Sequence, residues 1–178
     1  MERLVKLINL DEVRLSALKC VRLLNLPDCY LAAGFVRNLV WDDLHKKSSP
    51  TPLNDIDVIY FDPTESNPKK FQEYESMLRS MLPDLNWQVR NQASMHLRNN
   101  DRPYTSSLDA MSYWPEKETA IGVRQLHDGS IECVSAFGFD SLFNLHVTRN
   151  PIRLRSVFEK RVKTKRWLTT WSNLKVVL

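Results

Sequence analysis

Two short stretches decide how this sequence folds: Ala33–Asn38 (AGFVRN) and Asn54–Val58 (NDIDV). The first follows a short apolar run and begins a helix that is predicted over residues 35–45. The second belongs to residues 55–61, which are rich in β-branched and aromatic types and predict a buried strand. Residues 46–54 contain two prolines and two serines and are typical of a loop. The core segment is therefore an apolar run, a helix, a loop and a strand.

The rest of the sequence alternates between helical and strand patterns. Apolar residues at helical spacing, capping residues and prolines set the helix limits, and Asp128-Gly129 is a strong hairpin turn. Further helices are predicted from Asp11 to before Pro27 and over 69–82, 138–147 and 153–167, and strands over 87–91, 120–126 and 131–136. This order favours a mixed α/β or α+β fold.

The composition is that of one soluble globular domain spanning residues 1–178. Apolar residues make up 43% and charged residues 26%, which excludes a disordered chain. No apolar run approaches the ~20 residues that span a bilayer, so we expect no membrane association. The three cysteines form no C-x-x-C pair, which argues against a disulfide framework or a zinc site and favours a reducing cytoplasm.

Basic residues are concentrated at the end of the chain. Residues 149–178 hold nine of the 25 basic residues and one of the 21 acidic ones, so this predicted helical segment carries +8 and the remainder −4. Such a basic segment suggests an anionic partner, either a nucleic acid or a phosphorylated substrate. A solvated helix face is the alternative that charge alone does not exclude.

Two carboxylates lie on one face of the strand at residues 55–61. Asp55 and Asp57 are two residues apart, so their side chains point the same way. Neighbouring carboxylates repel each other unless a cation lies between them, and hard oxygen ligands suit Mg²⁺. The alternative is a pair of solvated acids at the mouth of a strand.

The start of the preceding helix offers a place for phosphate. Gly34 lies where free backbone N–H groups and the positive end of the helix dipole favour an anion. Arg37 and Asn38 follow in the first turn, close enough to help hold it. A tight connection at Gly34 and a surface cation at Arg37 are the alternatives.

These residues resemble a known superfamily. The pattern G-x-V-R-[DN], a helix and D-x-D on a strand is similar to the head motif of polymerase β-type nucleotidyltransferases, in the form found in CCA-adding enzymes and bacterial poly(A) polymerases. Beyond the motif, nearly the whole chain resembles a bacterial family of nucleotidyltransferase-like proteins. The further segments that carry this resemblance are Ala33–Asp42, Asn54–Asp62, Trp87–His96, Trp114–Glu116, Gly138–Phe143 and Lys165–Leu174.

The resemblance implies a nucleotidyltransferase-like mixed sheet flanked by helices, with an NTP as substrate. It implies Mg²⁺ or Mn²⁺ bound by Asp55, Asp57 and a third carboxylate, for which Glu132 is our candidate because it lies among apolar residues on a predicted strand. Gly34, Arg37 and Asn38 would bind the nucleotide. The acceptor hydroxyl would belong to RNA or a small molecule held by residues 149–178.

One departure from the superfamily pattern bears on activity. The usual Gly-Gly or Gly-Ser at the helix start is replaced by Ala33-Gly34 followed by Phe35. The alternative function is therefore a catalytically inactive module of the same fold that binds a nucleotide or nucleic acid.

Overall fold

A computed structural model describes all 178 residues and contains a five-stranded mixed sheet flanked by helices. The order across the sheet is β3-β2-β1-β4-β5, with β2 and β3 parallel and the other pairs antiparallel. The strands are β1 (Tyr30–Ala32), β2 (Ile56–Tyr60), β3 (Trp87–Asn91), β4 (Ile121–Gln125) and β5 (Ile131–Ser135). The prediction of a mixed sheet flanked by helices is confirmed.

Nine helices surround this sheet, and the second begins after Asp11, the capping residue that the sequence indicates. The side chain of Asp11 accepts a hydrogen bond of 2.9 Å from the N–H of Arg14 at the start of the second helix. The helices are α1 (Glu2–Asn9), α2 (Glu12–Leu23), α3 (Gly34–Leu44), α4 (Lys70–Met81), α5 (Gln92–Asn99), α6 (Ser107–Met111), α7 (Asp140–Phe143), α8 (Arg155–Lys165) and α9 (Trp167–Thr170). None of them combines the length and the apolar character that a membrane crossing requires.

The predicted helix over 138–147 is wrong. Only α7 is helical there, and residues His146–Thr148 form strand β6 instead. Strand β6 pairs in parallel with β7 (Lys175–Val177), and Leu145 takes a positive φ of 58° between the helix and the strand. The helical spacing of apolar residues predicts a helix here, but pairing with a strand about 30 residues further along the chain determines the structure of residues 146–148.

The basic segment is packed into the main core. Trp167 and Trp171 are each 3% exposed and contact Trp41 of α3 edge-on, with ring centroids 6.1 and 5.1 Å away. The indole N–H of Trp171 also donates a hydrogen bond of 2.7 Å to Asp42. Helix α9 and the residue that follows it are thereby packed against α3.

Strand pairing brings the two decisive stretches together. Strands β1 and β2 are antiparallel, and Ala32 at the end of β1 pairs with Asp57 near the start of β2. Ala33 and helix α3 follow Ala32 directly. The helix start and the D-x-D carboxylates therefore lie at one edge of the sheet.

Candidate active site

A cleft of about 710 Å³ lies at this edge of the sheet. Its floor is formed by the start of α3 and the start of β2, and its wall by α8 and α9. It contains five of the six residues that the sequence analysis selected: Gly34, Arg37, Asn38, Asp55 and Asp57.

The two carboxylates have different surroundings. Asp55 accepts a hydrogen bond of 2.8 Å from the side-chain amide of Asn86. Burial, and then the charge of Asp55, raise the pKa of Asp57, while Arg37 and Lys165 oppose this shift. No hydrogen bond is among the causes of this pKa shift. The carboxylate oxygens of Asp57 are therefore available to a ligand.

Ala33 turns the chain from β1 into α3 in a conformation that favours glycine. Its φ of 54° and ψ of −119° lie outside the regions that residues with a side chain normally occupy. Its carbonyl accepts hydrogen bonds from Val36 and Arg37, whereas the N–H groups of Gly34 and Phe35 have no carbonyl partner. These two donors are available to an anion.

Gly34 leaves open the space in front of the helix start. A Cβ built there would lie 3.6 Å from Nη2 of Arg37 and 3.6 Å from Nδ2 of Asn38, which are ordinary contacts. The fold does not need glycine at this position. The missing side chain instead lets a ligand approach the backbone of the first turn.

Arg37 is a buried cation without a paired anion. Its guanidinium lies 5.0 Å from the ring centroid of Trp41 and 4.6 Å from that of Trp167, and Nη2 donates to Oδ1 of Asn38. Its Nε is buried without a hydrogen-bond partner, and the residue is 7% exposed. Burial lowers the pKa of Arg37 to about 10, although the charge of Glu116 opposes that shift. The group therefore stays charged at neutral pH and faces the cleft.

Helix α8 contributes two cations that the sequence analysis did not single out. Arg161 donates to both oxygens of Glu116, at 2.6 and 3.1 Å, and its Nη1 is not used in this pair. Lys165, one turn further, forms no ion pair, and its charge acts on Asp57. Their spacing of four residues, with Val157 before them, is a signal in the sequence that these side chains share one helix face.

Glu132 does not join the two aspartates, so it is not the third carboxylate of this site. The register places it on the same face of the sheet as Asp57, but three strand spacings across the sheet and two residues along it, roughly 16 Å away. Its carboxylate forms an ion pair with Arg124, its cross-strand neighbour.

No other acid takes the place of Glu132. Glu116 and Glu118 lie close enough to affect the pKa of Arg37, but Glu116 is bound by Arg161, and Oε2 of Glu118 accepts the N–H of Thr148. No group of three or more His, Cys, Asp and Glu side chains is arranged to hold a metal ion. The pair that remains still fits Mg²⁺, which typically binds one or two carboxylates together with substrate phosphates.

Comparison with known proteins identifies the family of the chain. Residues 19–176 match the sequence profile of a family described as nucleotidyltransferase. The chain belongs to this nucleotidyltransferase family. A protein whose NMR structure reveals a CCA-adding enzyme head domain is 33% identical, with a TM-score of 0.86 over 99% of this chain and 95% of that one. The similarity therefore extends over nearly the whole of both chains.

Two longer structures share the fold. A CCA-adding enzyme in complex with CTP is 15% identical, with a TM-score of 0.58, and a tRNA-processing enzyme complex is 16% identical, with a TM-score of 0.51. This nucleotidyltransferase covers 43% and 42% of those chains, so it spans less than half their length. No curated protein matches the sequence.

Proposed function

We propose that this nucleotidyltransferase transfers a nucleoside monophosphate from an NTP to an acceptor hydroxyl with a divalent cation. The observation that carries the proposal is Arg37, a buried guanidinium without a carboxylate partner that faces the same cleft as two carboxylates. Burying a charge is unfavourable unless a counter-charge approaches it. A polyphosphate with a bound cation would place negative charge beside Arg37 and positive charge beside the two carboxylates.

Each residue at the helix start has a separate part in holding the nucleotide. The N–H groups of Gly34 and Phe35 and the guanidinium of Arg37 would donate to phosphate oxygens. Asn38 accepts from Nη2 of Arg37 and so holds the guanidinium in place. Lys165 and the unused Nη1 of Arg161 add positive charge on the opposite wall.

Asp55 and Asp57 would hold Mg²⁺ or Mn²⁺, which neutralises charge on the α-phosphate when it is bound. The acceptor oxygen attacks the α-phosphorus, the bond from that phosphorus to the bridging oxygen of the β-phosphate breaks, and pyrophosphate leaves. The hydroxyl proton is released to water in the open cleft. The cationic side chains stabilise the charge that develops on the leaving pyrophosphate.

We propose that the acceptor is an RNA end or a small molecule and that it approaches over the basic segment 149–178. Its outward-facing lysines, such as Lys160 and Lys163, lie on the exposed side of α8 and form no ion pair. Exposed cations of this kind attract an anionic acceptor, and an RNA held in this way would bind more weakly at high salt.

Transfer can be tested with NTPs labelled at the α-phosphate, mixed with small RNAs and with pooled small hydroxyl compounds. We expect wild-type protein with Mg²⁺ to label an acceptor and to release an equal amount of pyrophosphate. The Asp55→Asn/Asp57→Asn variant should do neither while keeping its fold by circular dichroism. Labelling that is unchanged in this variant would contradict the assignment of the two aspartates.

One observation favours a second candidate, a non-catalytic module that binds nucleotides. Glu132 is remote from Asp55 and Asp57, so the site has no third carboxylate to act as a base. The same experiment separates the two functions. A module of this kind would bind Mg·NTP through the two aspartates, but it would release no pyrophosphate with any acceptor.

A further inference from the structure

We propose that the base of the bound nucleotide occupies the far end of the same cleft, between Tyr113 and the first turn of α8. This inference rests on the proposed function, because it assumes that the triphosphate lies against Arg37, Asp55 and Asp57. It assigns base binding to a partly apolar surface at the other end of the cleft from the phosphate site.

The far end of the cleft is a defined unit held together by hydrogen bonds. Asn150 donates from Nδ2 to the carbonyls of Ser112 and Trp114, at 2.7 and 2.8 Å. The Nε of Arg153 donates to the carbonyl of Tyr113. Residues 150–153 therefore lie along residues 112–115, and both segments contribute to the lining of the cleft.

Three apolar side chains at this end are exposed although they face the cleft. Ile152 is 56% exposed, Leu154 73% and Val157 41%. Their exposure leaves apolar surface beside a polar cleft without any protein group covering it. A flat aromatic base would remove this surface from water and contact it from one side.

This end is also electrically neutral, unlike the phosphate end. The cations around this end are already paired with carboxylates: Arg153 with Asp101, whose Nη1 and Oδ1 are 2.8 Å apart, Arg102 with Asp109, and Arg155 with Glu159. These pairs leave no free charge for a phosphate here. The charged groups that do remain free, Arg37 and Lys165, lie at the other end.

Helix α8 sets the distance between the two ends. Val157, Arg161 and Lys165 lie four residues apart on the face that lines the cleft. At 1.5 Å per residue, Val157 is roughly 12 Å from Lys165 along the helix axis. An extended nucleotide held by its phosphates near Lys165 would reach Val157 with its base.

Asn99 supplies a polar group at this end that can contact the edge of a base. The hydroxyl proton of Tyr104 is donated to Asp101, so Asn99 must donate from Nδ2 to the oxygen of Tyr104, at 3.2 Å. Its Oδ1 and its second N–H remain free. The side chain therefore presents one acceptor and one donor beside the apolar surface.

The test compares each NTP with inorganic tripolyphosphate, both as Mg²⁺ complexes, by calorimetric titration. The variant is Leu154→Ser/Val157→Ser. Both residues are exposed, and serine suits the N-cap position of Leu154 on α8, so the fold should be kept. Leu10→Ser is the matched control, because Leu10 is 74% exposed and lies outside the cleft.

We expect wild-type protein to bind all four NTPs more tightly than tripolyphosphate. The double variant should lose about tenfold in affinity for each NTP and none for tripolyphosphate, and Leu10→Ser should change neither. Unchanged NTP affinity in the double variant, or an equal loss for NTP and tripolyphosphate, would overturn the base site alone. If wild-type protein binds neither ligand, the proposed function itself is overturned, and the base site with it.

Discussion

At the scale of single residues, Asp57 combines its proposed role in the site with a cost to the stability of the fold. Burial and the charge of Asp55 raise its pKa above the ordinary value. A carboxyl that binds protons more tightly in the folded state contributes stability at low pH, and this contribution is lost as the pH rises through the folded-state pKa. At neutral pH the ionised group therefore destabilises the metal-free protein.

We predict that Asp57→Asn raises the thermal unfolding midpoint of the metal-free protein at neutral pH and lowers NTP turnover by at least ~100-fold. The gain in stability should shrink on acidification, as wild-type Asp57 becomes protonated. Asp84→Asn, at an exposed position, is the control and should change neither quantity. A lower midpoint for Asp57→Asn at pH 7 would show that the carboxylate stabilises the fold.

The backbone conformation of Ala33 gives a second prediction at this scale. Because its φ is 54°, replacing it with glycine should relieve strain and stabilise the protein by up to about 1 kcal/mol. Ala33→Val, which is β-branched, should instead destabilise it by about 2 kcal/mol or more. Urea unfolding of the three proteins measures both effects, and equal stability of all three would mean that Ala33 is unstrained.

At the scale of elements, packing at the start of α3 does not require a glycine at position 34, which is consistent with the proposed approach of a ligand. We predict that Gly34→Ala folds with unchanged or slightly higher stability, since the new methyl meets only ordinary contacts in a helical segment. Its methyl would occupy the approach to the free N–H groups and lower NTP affinity by about tenfold to a hundredfold.

Gly122→Ala provides the contrast to this variant. Its Cβ would lie 2.9 Å from Cβ of Tyr30, so we expect it to destabilise the sheet by about 1–3 kcal/mol. Calorimetric titration and urea unfolding of both variants distinguish the two effects. Wild-type NTP affinity in a folded Gly34→Ala protein would argue against phosphate binding at this helix start.

Two cations one turn apart on α8 should respond differently to substitution. Arg161→Met leaves the fully buried Glu116 without its ion-pair partner and should destabilise the protein by about 3 kcal/mol. Lys165→Met removes a free cation and should change stability by less than ~0.5 kcal/mol while weakening NTP binding about tenfold. If Lys165→Met binds NTP normally, α8 is only a structural wall of the cleft.

The sequence predicts the elements near the site because their signals are local. The D-x-D spacing places Asp55 and Asp57 on one face, and the end of an apolar run at Gly34 marks the start of a helix. Strand β3 agrees with the predicted residues 87–91 at both ends. These features depend on residues within a few positions of each other, so the local sequence is enough to predict them.

At the scale of the whole molecule, the unpredicted features depend on contacts between distant residues. Glu132 lies on a predicted strand, but the strand order places β1 and β4 between it and β2. The contacts of Trp167 with Arg37 and of Trp171 with Asp42 join residues more than a hundred positions apart. The basic segment therefore forms part of the core and the cleft wall, which charge counting alone does not indicate.

The proposed function requires that this cleft bind a triphosphate through a divalent cation held by Asp55 and Asp57. Calorimetric titration of the four NTPs tests it most directly, using wild-type and Asp55→Asn/Asp57→Asn proteins, each in Mg²⁺ and in EDTA. We predict saturable binding to the wild type in Mg²⁺ only, and a loss of at least about tenfold in the variant. Equal binding in EDTA, or equal binding by the variant, would mean that Asp55 and Asp57 do not bind the triphosphate through a cation.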